Sequence, residues 1–293
     1  MIEEYIKEIE SINYSCWQCN ANDSYTASYK TIETLKRGYY TVDTSDDILY
    51  FHKKDINTDE LFSFPDSKIN QIIEEIDTFW DKQDIFKSLG FLHKRGYLLH
   101  GPAGGGKSCL IKLVIKNFIN KYDGIVIEAT TYPSNIRRAL TTIRGIEPQR
   151  KVMCLYEDID AHIKQYNESS VLSVLDGEDS FNHMLTIATT NYVQNLDLRI
   201  IARPRRFDRV IEIGMPDENI RRVYFQKKLK IEDTELEEYV NVSKEFSFAA
   251  MTELVVSVKC FDIELSKAAE ILKNLLYKKK KDENNLQSDC VGF

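Results

Sequence analysis

Residues Gly101 to Ser108 read GPAGGGKS, a glycine-rich octapeptide closing on a lysine and a hydroxyl at the spacing GxxxxGK[ST]. Glycines let successive backbone N–H groups turn inward as a concave row of donors, which is how a chain wraps a phosphate. The run follows a strand-like GYLLH (96–100) and opens a helix-like CLIKLVIKNFIN (109–120), so the positive end of a helix joins those donors. The chemistry is triphosphate binding. Gly101, Pro102, Ala103, Gly104, Gly105, Gly106, Lys107, Ser108 and Cys109 form the cradle; Lys107 reaches the β- and γ-phosphates of ATP, and Ser108 offers its hydroxyl to Mg²⁺.

A second cluster follows about fifty residues on. CLYEDID (154–160) ends the apolar run VMCLY (152–156) in acids. In an open parallel sheet the carboxyl ends of the strands face the ligand, so these acids fall beside the phosphates. Glu157, the first, holds Mg²⁺; Asp158, the second, orients and polarises the attacking water; Asp160 adds a salt bridge.

Elements that could position both clusters alternate along the chain. Strand-like IVIEA (125–129), MLTIA (184–188) and VIEIG (210–214) join GYLLH and VMCLY, with a helical SNIRRALTTIR (134–144) between. Short apolar runs separated by helices predict a five-stranded, mainly parallel α/β P-loop sheet with helices on both faces, followed by a small all-α lid. Ile69, Ile72, Ile73, Ile76, Phe79 and Trp80 recur at helical spacing between Lys68 and Phe86. The division is a small N-terminal region at 1–60, an α/β domain at 61–214, a helical lid at 215–276 and a polar tail at 277–293. The first region reads as a helix plus a hairpin, GYYTV (38–42) and ILYFH (48–52) flanking the turn-like DTSDD.

Together these motifs resemble the AAA branch of the AAA+ ATPases, from about Phe64 to Leu276. FKSLGFLHKRGYLLHGPAGGGKS is similar to that family's approach to the P-loop, and IATTNYVQNLDLRIIARPRRFDR to its sensor and arginine-finger region. By that resemblance Asn191 is the sensor that positions the water, and Arg203 and Arg206 are arginine fingers reaching a neighbouring subunit's site. Most such proteins order the acids Asp then Glu. The reversed Glu157–Asp158 pair, LSVLDG (172–177) and TTNY (189–192) resemble the subgroup of the mitochondrial Rieske-protein translocase, and ARPRRFD resembles AAA proteins of phages and bacteria. The lid's FSFAAMTEL (246–254) puts Phe248-Ala249-Ala250 where the family has a Gly-Ala near adenine.

The resemblance implies an ATP-hydrolysing homo-oligomeric ring of six or seven subunits that remodels or translocates a protein client. A nucleotide-dependent assembly module with slow turnover is the alternative. TTYPSN (130–135) stands where threading members carry an aromatic–apolar–Gly pore loop; Tyr132 is a pore residue or a turn residue before the next helix. A net charge of −7 disfavours a nucleic-acid client. No apolar run reaches the ~18–20 residues of a membrane span, and MIEEYIKEIE is neither a signal nor a transit peptide. Cysteine usage fits a reducing cytoplasm, that of a bacterium or phage-infected host by the resemblance. CWQC (16–19) lacks a second CxxC or a His pair, so it reads as two thiols in a helix or loop.

Overall fold

The computed structural model describes residues 16–19, 25–28, 31–56, 68–176, 181–201 and 206–276. The expected N-terminal helix, the tail 277–293 and Arg203 lie outside them. CWQC is neither helix nor loop: β1 (Cys16–Cys19) pairs antiparallel with β2 (Tyr25–Ser28).

The main sheet has seven strands, not five. They are β3 (Gly38–Ser45), β4 (Ile48–Lys54), β5 (Lys94–His100), β6 (Ile125–Glu128), β7 (Val152–Tyr156), β8 (Met184–Thr190) and β9 (Arg209–Glu212), in the order β4-β3-β6-β7-β8-β5-β9. Only the β3–β4 pair is antiparallel. The extra two strands are the hairpin that the sequence reading assigned to a separate region. Ser45 faces Ile48 across a two-residue turn, with Asp46 and Asp47 both at positive φ, the conformation that matches strand twist. β3 then pairs in parallel with β6, so the hairpin extends the nucleotide-binding sheet.

Alternation along the strands builds two cores. Val126, Met153 and Leu155 face α1 (Lys68–Asp81) and α3 (Lys107–Tyr122), which supply Ile72, Ile76, Leu110, Ile111, Val114, Ile115 and Phe118. Between these helices, α2 (Gln83–Ser88) follows a break at Lys82 in the helical pattern expected through Phe86. Ile125, Ile127, Val152, Cys154 and Tyr156 face α4 (Pro133–Ile146), α5 (Ile159–Tyr166) and α6 (Glu168–Asp176). Apolar side chains at helical spacing, fully buried, each stabilise by about 1.5–3 kcal/mol, which holds the helices flat on the sheet.

The chain leaves β8 through α7 (Leu198–Ile201) to β9. It then becomes helical: α8 (Glu218–Leu229), α9 (Asp233–Val242), α10 (Phe248–Lys259) and α11, residues 265–276. Tyr224, Phe225, Tyr239, Phe246, Met251, Leu254 and Leu272 of this segment are continuous with the α1–α3 core. Among the described residues no helix is long and apolar enough to cross a membrane.

Candidate nucleotide site

The strand order puts β8 between β5, which leads into the glycine loop, and β7, which ends in the acids. Whatever stands at the end of β8 is therefore flanked by both motifs. Asn191 stands there. The ammonium of Lys107 donates to its Oδ1 at 2.6 Å, and its Nδ2 lies 3.5 Å from Oδ1 of Asp158. Residues distant in sequence thus form one chain of contacts.

The glycine loop is shaped for close approach. Gly106 precedes α3 at φ 108, and no side chain caps that helix, so the positive end of the helix faces the glycine loop. A Cβ on Gly106 would lie 2.9 Å from the Phe248 ring, and one on Gly104 (φ 76) 2.8 Å from Cβ of Ser247. The lid helix α10 therefore begins directly against the loop, and its Phe248 N–H donates to the Gly104 carbonyl at 3.1 Å. Ser247 caps α10 by accepting from the Ala250 N–H. Phe248 replaces the expected glycine with an aromatic ring over the loop. Pro102, Ala103 and Ser108 are exposed and Cys109 is half-buried.

Lys107 is only 7% exposed and also donates to the carbonyls of Gly101 and Pro102 at 2.7 and 3.0 Å. Burial lowers its pKa and the nearby Asp158 charge opposes that. A buried cation held by neutral carbonyl and amide oxygens is poised for an anion.

Asp158 has φ 49 and ψ 59, a left-handed conformation, and its N–H donates to Thr189 Oγ1 at 3.0 Å. Asp and Asn enter this region more readily than longer side chains. That gives the acid order a physical basis: the second position turns left-handed, and Asp suits it better than Glu. Asp160 accepts from the Thr190 hydroxyl at 2.7 Å, so its contact is a hydrogen bond to β8 where a salt bridge was expected. Thr189 and Thr190 escaped the sequence reading as individuals; their place beside Asn191 in TTNY was the available signal.

Glu157 is exposed, yet its pKa is raised, by desolvation first and then by the charges of Glu128 and Asp158, with Lys112 opposing. Crowded carboxylate oxygens and the Ser108 hydroxyl are hard donors suited to Mg²⁺. Among the described residues no three His, Cys, Asp or Glu side chains converge to hold an ion unaided. The donors fit an ion that phosphates complete, with Ser108 and Glu157 as the protein's share.

Arg206 does not project outward. It is 5% exposed, and its Nη1 donates to the Arg199 carbonyl at 2.7 Å, tying the segment before β9 back to α7. Tyr132 precedes α4, is 65% exposed and has its ring centroid 5.1 Å from that of Tyr166.

This arrangement is that of a P-loop nucleotide-binding domain with a helical lid. Residues 97–215 match the family described as "ATPase family associated with various cellular activities (AAA)", and the chain carries an AAA-family ATPase domain. It is 30% identical over 172 residues to protein CdcH of Halobacterium salinarum, covering 52% of this chain and 22% of that one. It is 29% identical over 213 residues to the 26S proteasome regulatory subunit 4 homolog B of Arabidopsis thaliana, covering 63% and 46%. To the proteasome-activating nucleotidase of Methanococcus vannielii it is 29% identical over 198 residues, covering 61% and 48%. The chain spans between about a fifth and a half of the length of these relatives. The narrower resemblance to the Rieske-translocase subgroup rests on the motifs alone.

Proposed function

We propose that the chain is an ATP-hydrolysing AAA ATPase that works as a homo-oligomeric ring, of six or seven subunits, on a protein client in a bacterial or phage-host cytoplasm. The observation that carries the reading is the Lys107–Asn191–Asp158 chain of contacts, which joins the phosphate-binding, water-positioning and water-polarising groups in one site. Lys107 exchanges its carbonyl partners for the β- and γ-phosphates. Asn191, released from the ammonium, orients a water against Asp158, which draws on its proton as the water oxygen bonds to the γ-phosphorus and the bond to the β–γ bridging oxygen breaks, releasing ADP and phosphate. Mg²⁺, when bound by Ser108 and Glu157, supplies positive charge that offsets the phosphates. The pull from Asn191 changes as Lys107 lets go, so nucleotide binding and water positioning are linked.

We assign the trans contribution to Arg203 by the motif, since the Arg206 guanidinium is taken up by the Arg199 carbonyl. Names of relatives from the proteasomal branch support a protein client. A nucleotide-held assembly with slow turnover is the second reading, favoured by Pro133 starting α4 where threading proteins carry their pore loop.

Complementation tests the first reading. Arg203→Ala and Lys107→Ala chains should each be nearly inactive, and mixing them should restore ATPase activity through composite sites. Turnover per chain should also rise with concentration as subunits assemble, since a guanidinium supplied in trans is worth about 10³–10⁵ in rate. Mixed assemblies that form yet restore nothing would overturn the shared site.

A further inference from the structure

Glu128 belongs to no motif in the sequence. It is the last residue of β6, in register with Leu155 of β7. Alternation puts Glu128, Leu155 and Glu157 on the same face, the one covered by α3, where Val126, Met153 and Leu155 are buried. The two glutamates are thus one strand and two residues apart, about 8 Å between their Cα atoms. Glu128 is not a free surface acid: its side chain is only 16% exposed. Its neighbours come from the hairpin. Lys54 of β4 places its ammonium 3.6 Å from Oε2, and Tyr39 of β3, in register with Val126 and so on the same face, has its phenol pKa raised by burial first and then by this carboxylate.

We propose that Glu128 is a positioning residue of the nucleotide site: its carboxylate, paired with Lys54 and flanked by Tyr39, adds a fixed negative charge beside Glu157 that favours a divalent cation there. The inference rests on the Mg²⁺–ATP reading above and extends it to the hairpin, which thereby becomes part of the site's electrostatics as well as of its sheet. Lys54 neutralises Glu128 only in part, because it is half exposed and screened by solvent. The remaining charge acts on the exposed Glu157 from a side chain that is itself only 16% exposed, where Coulomb interactions exceed those in water.

The test is a Mg²⁺ titration of the full-length chain with a fluorescent, non-hydrolysable ATP analogue, paired with the same analogue in EDTA. Glu128→Gln keeps the shape and removes the charge. It should raise the half-saturating Mg²⁺ concentration about ten-fold and leave affinity in EDTA unchanged or tighter. Glu128→Asp should recover part of the loss. Tyr39→Phe removes only the phenol oxygen and should shift the midpoint the same way by about three-fold; it decides the matter if Glu128→Gln does not fold. An unchanged Mg²⁺ midpoint, or an equal loss with and without Mg²⁺, overturns the proposal. The underlying reading fails separately, if the parent binds no analogue in either arm or if Lys107→Ala binds as the parent does.

Discussion

The carboxyl and amino ends of the parallel strands both carry polar side chains, and they use them in opposite ways. At the carboxyl ends, Lys107, Asn191 and Asp158 touch one another across three elements, with exposed carboxylates alongside. At the amino ends, His93 before β5 and His183 before β8 are 2% and 4% exposed, with ring Nδ1 atoms 3.4 Å apart. There the partners are mostly fixed backbone groups. His93 Nε2 donates to the Phe79 carbonyl at 2.8 Å, Asn182 Oδ1 accepts from both histidine N–H groups, and Arg144 donates to the His183 carbonyl. In the proposed mechanism, one end exchanges partners when a nucleotide arrives. The other closes the sheet with bonds that have nothing to exchange with.

The comparison breaks most visibly at Asp158. Asp158→Asn should keep ATP binding and lose about 10²–10⁴ in single-turnover rate, because it keeps the shape and removes the proposed base. The order-swapped pair, Glu157→Asp with Asp158→Glu, should also turn over more slowly than the parent. Glu at 158 must adopt the left-handed backbone at a cost of about 1 kcal/mol and carries its carboxylate a methylene further out. A swapped pair that matched the parent would make the acid order neutral.

A lesion at the amino end should do the reverse. His93→Ala takes from the Phe79 carbonyl its 2.8 Å donor, leaving only the Lys82 N–H at 3.3 Å, removes a ring stacked on Phe79 at 4.1 Å and opens a cavity. We expect about 2–4 kcal/mol of lost stability in urea denaturation. β5 spans Lys94–His100, so the two ends are separated by roughly 20 Å. ATP affinity of the folded protein should therefore stay within about two-fold. If affinity fell with stability, the two ends would be coupled and the division drawn here would fail.

The two ends also differ in how far the sequence exposes them. The carboxyl end was legible because its chemistry is local: eight consecutive residues make the loop, and Glu157 and Asp158 follow an apolar run directly. The amino end was not, since His93 and His183 are single residues 90 positions apart that meet only through β5–β8 pairing. Glu128 was hidden likewise, because its partners arrive with the hairpin. That hairpin was read correctly as strand, turn, strand, but a hairpin pattern cannot say which sheet its edge will join. The inward turn of Arg206 was not legible either, because spacing reports where an arginine stands along the chain and not which way its guanidinium turns.

The smallest effect should come from pH, and it sharpens the reading of the amino end. The Phe79 carbonyl can only accept, so His93 carries its proton on Nε2 and presents Nδ1 as an acceptor; His183 then donates from its own Nδ1. A second proton would set two donors against each other in a buried site. The pKa values move accordingly. His183 is lowered from 6.5 to about 4, by desolvation first and then by the charges of His93, Arg144 and Lys151, and His93 is lowered by desolvation despite its carbonyl partner. Both imidazoles thus stay neutral in the fold while the unfolded chain takes up protons. The His183 contribution is fully present above about 6.5 and is lost as pH falls from there toward about 4, and that of His93 is lost in the same direction. Denaturation midpoints from pH 7.5 to 4.5 should therefore drop more steeply in the parent than in His183→Leu, where the pair cannot be doubly protonated. Carboxylates that titrate in the same window are common to both proteins, so the difference between the two curves isolates the histidines. Parallel curves would mean that the pair accepts its second proton without penalty, and that the amino end is as adaptable as the site at the other.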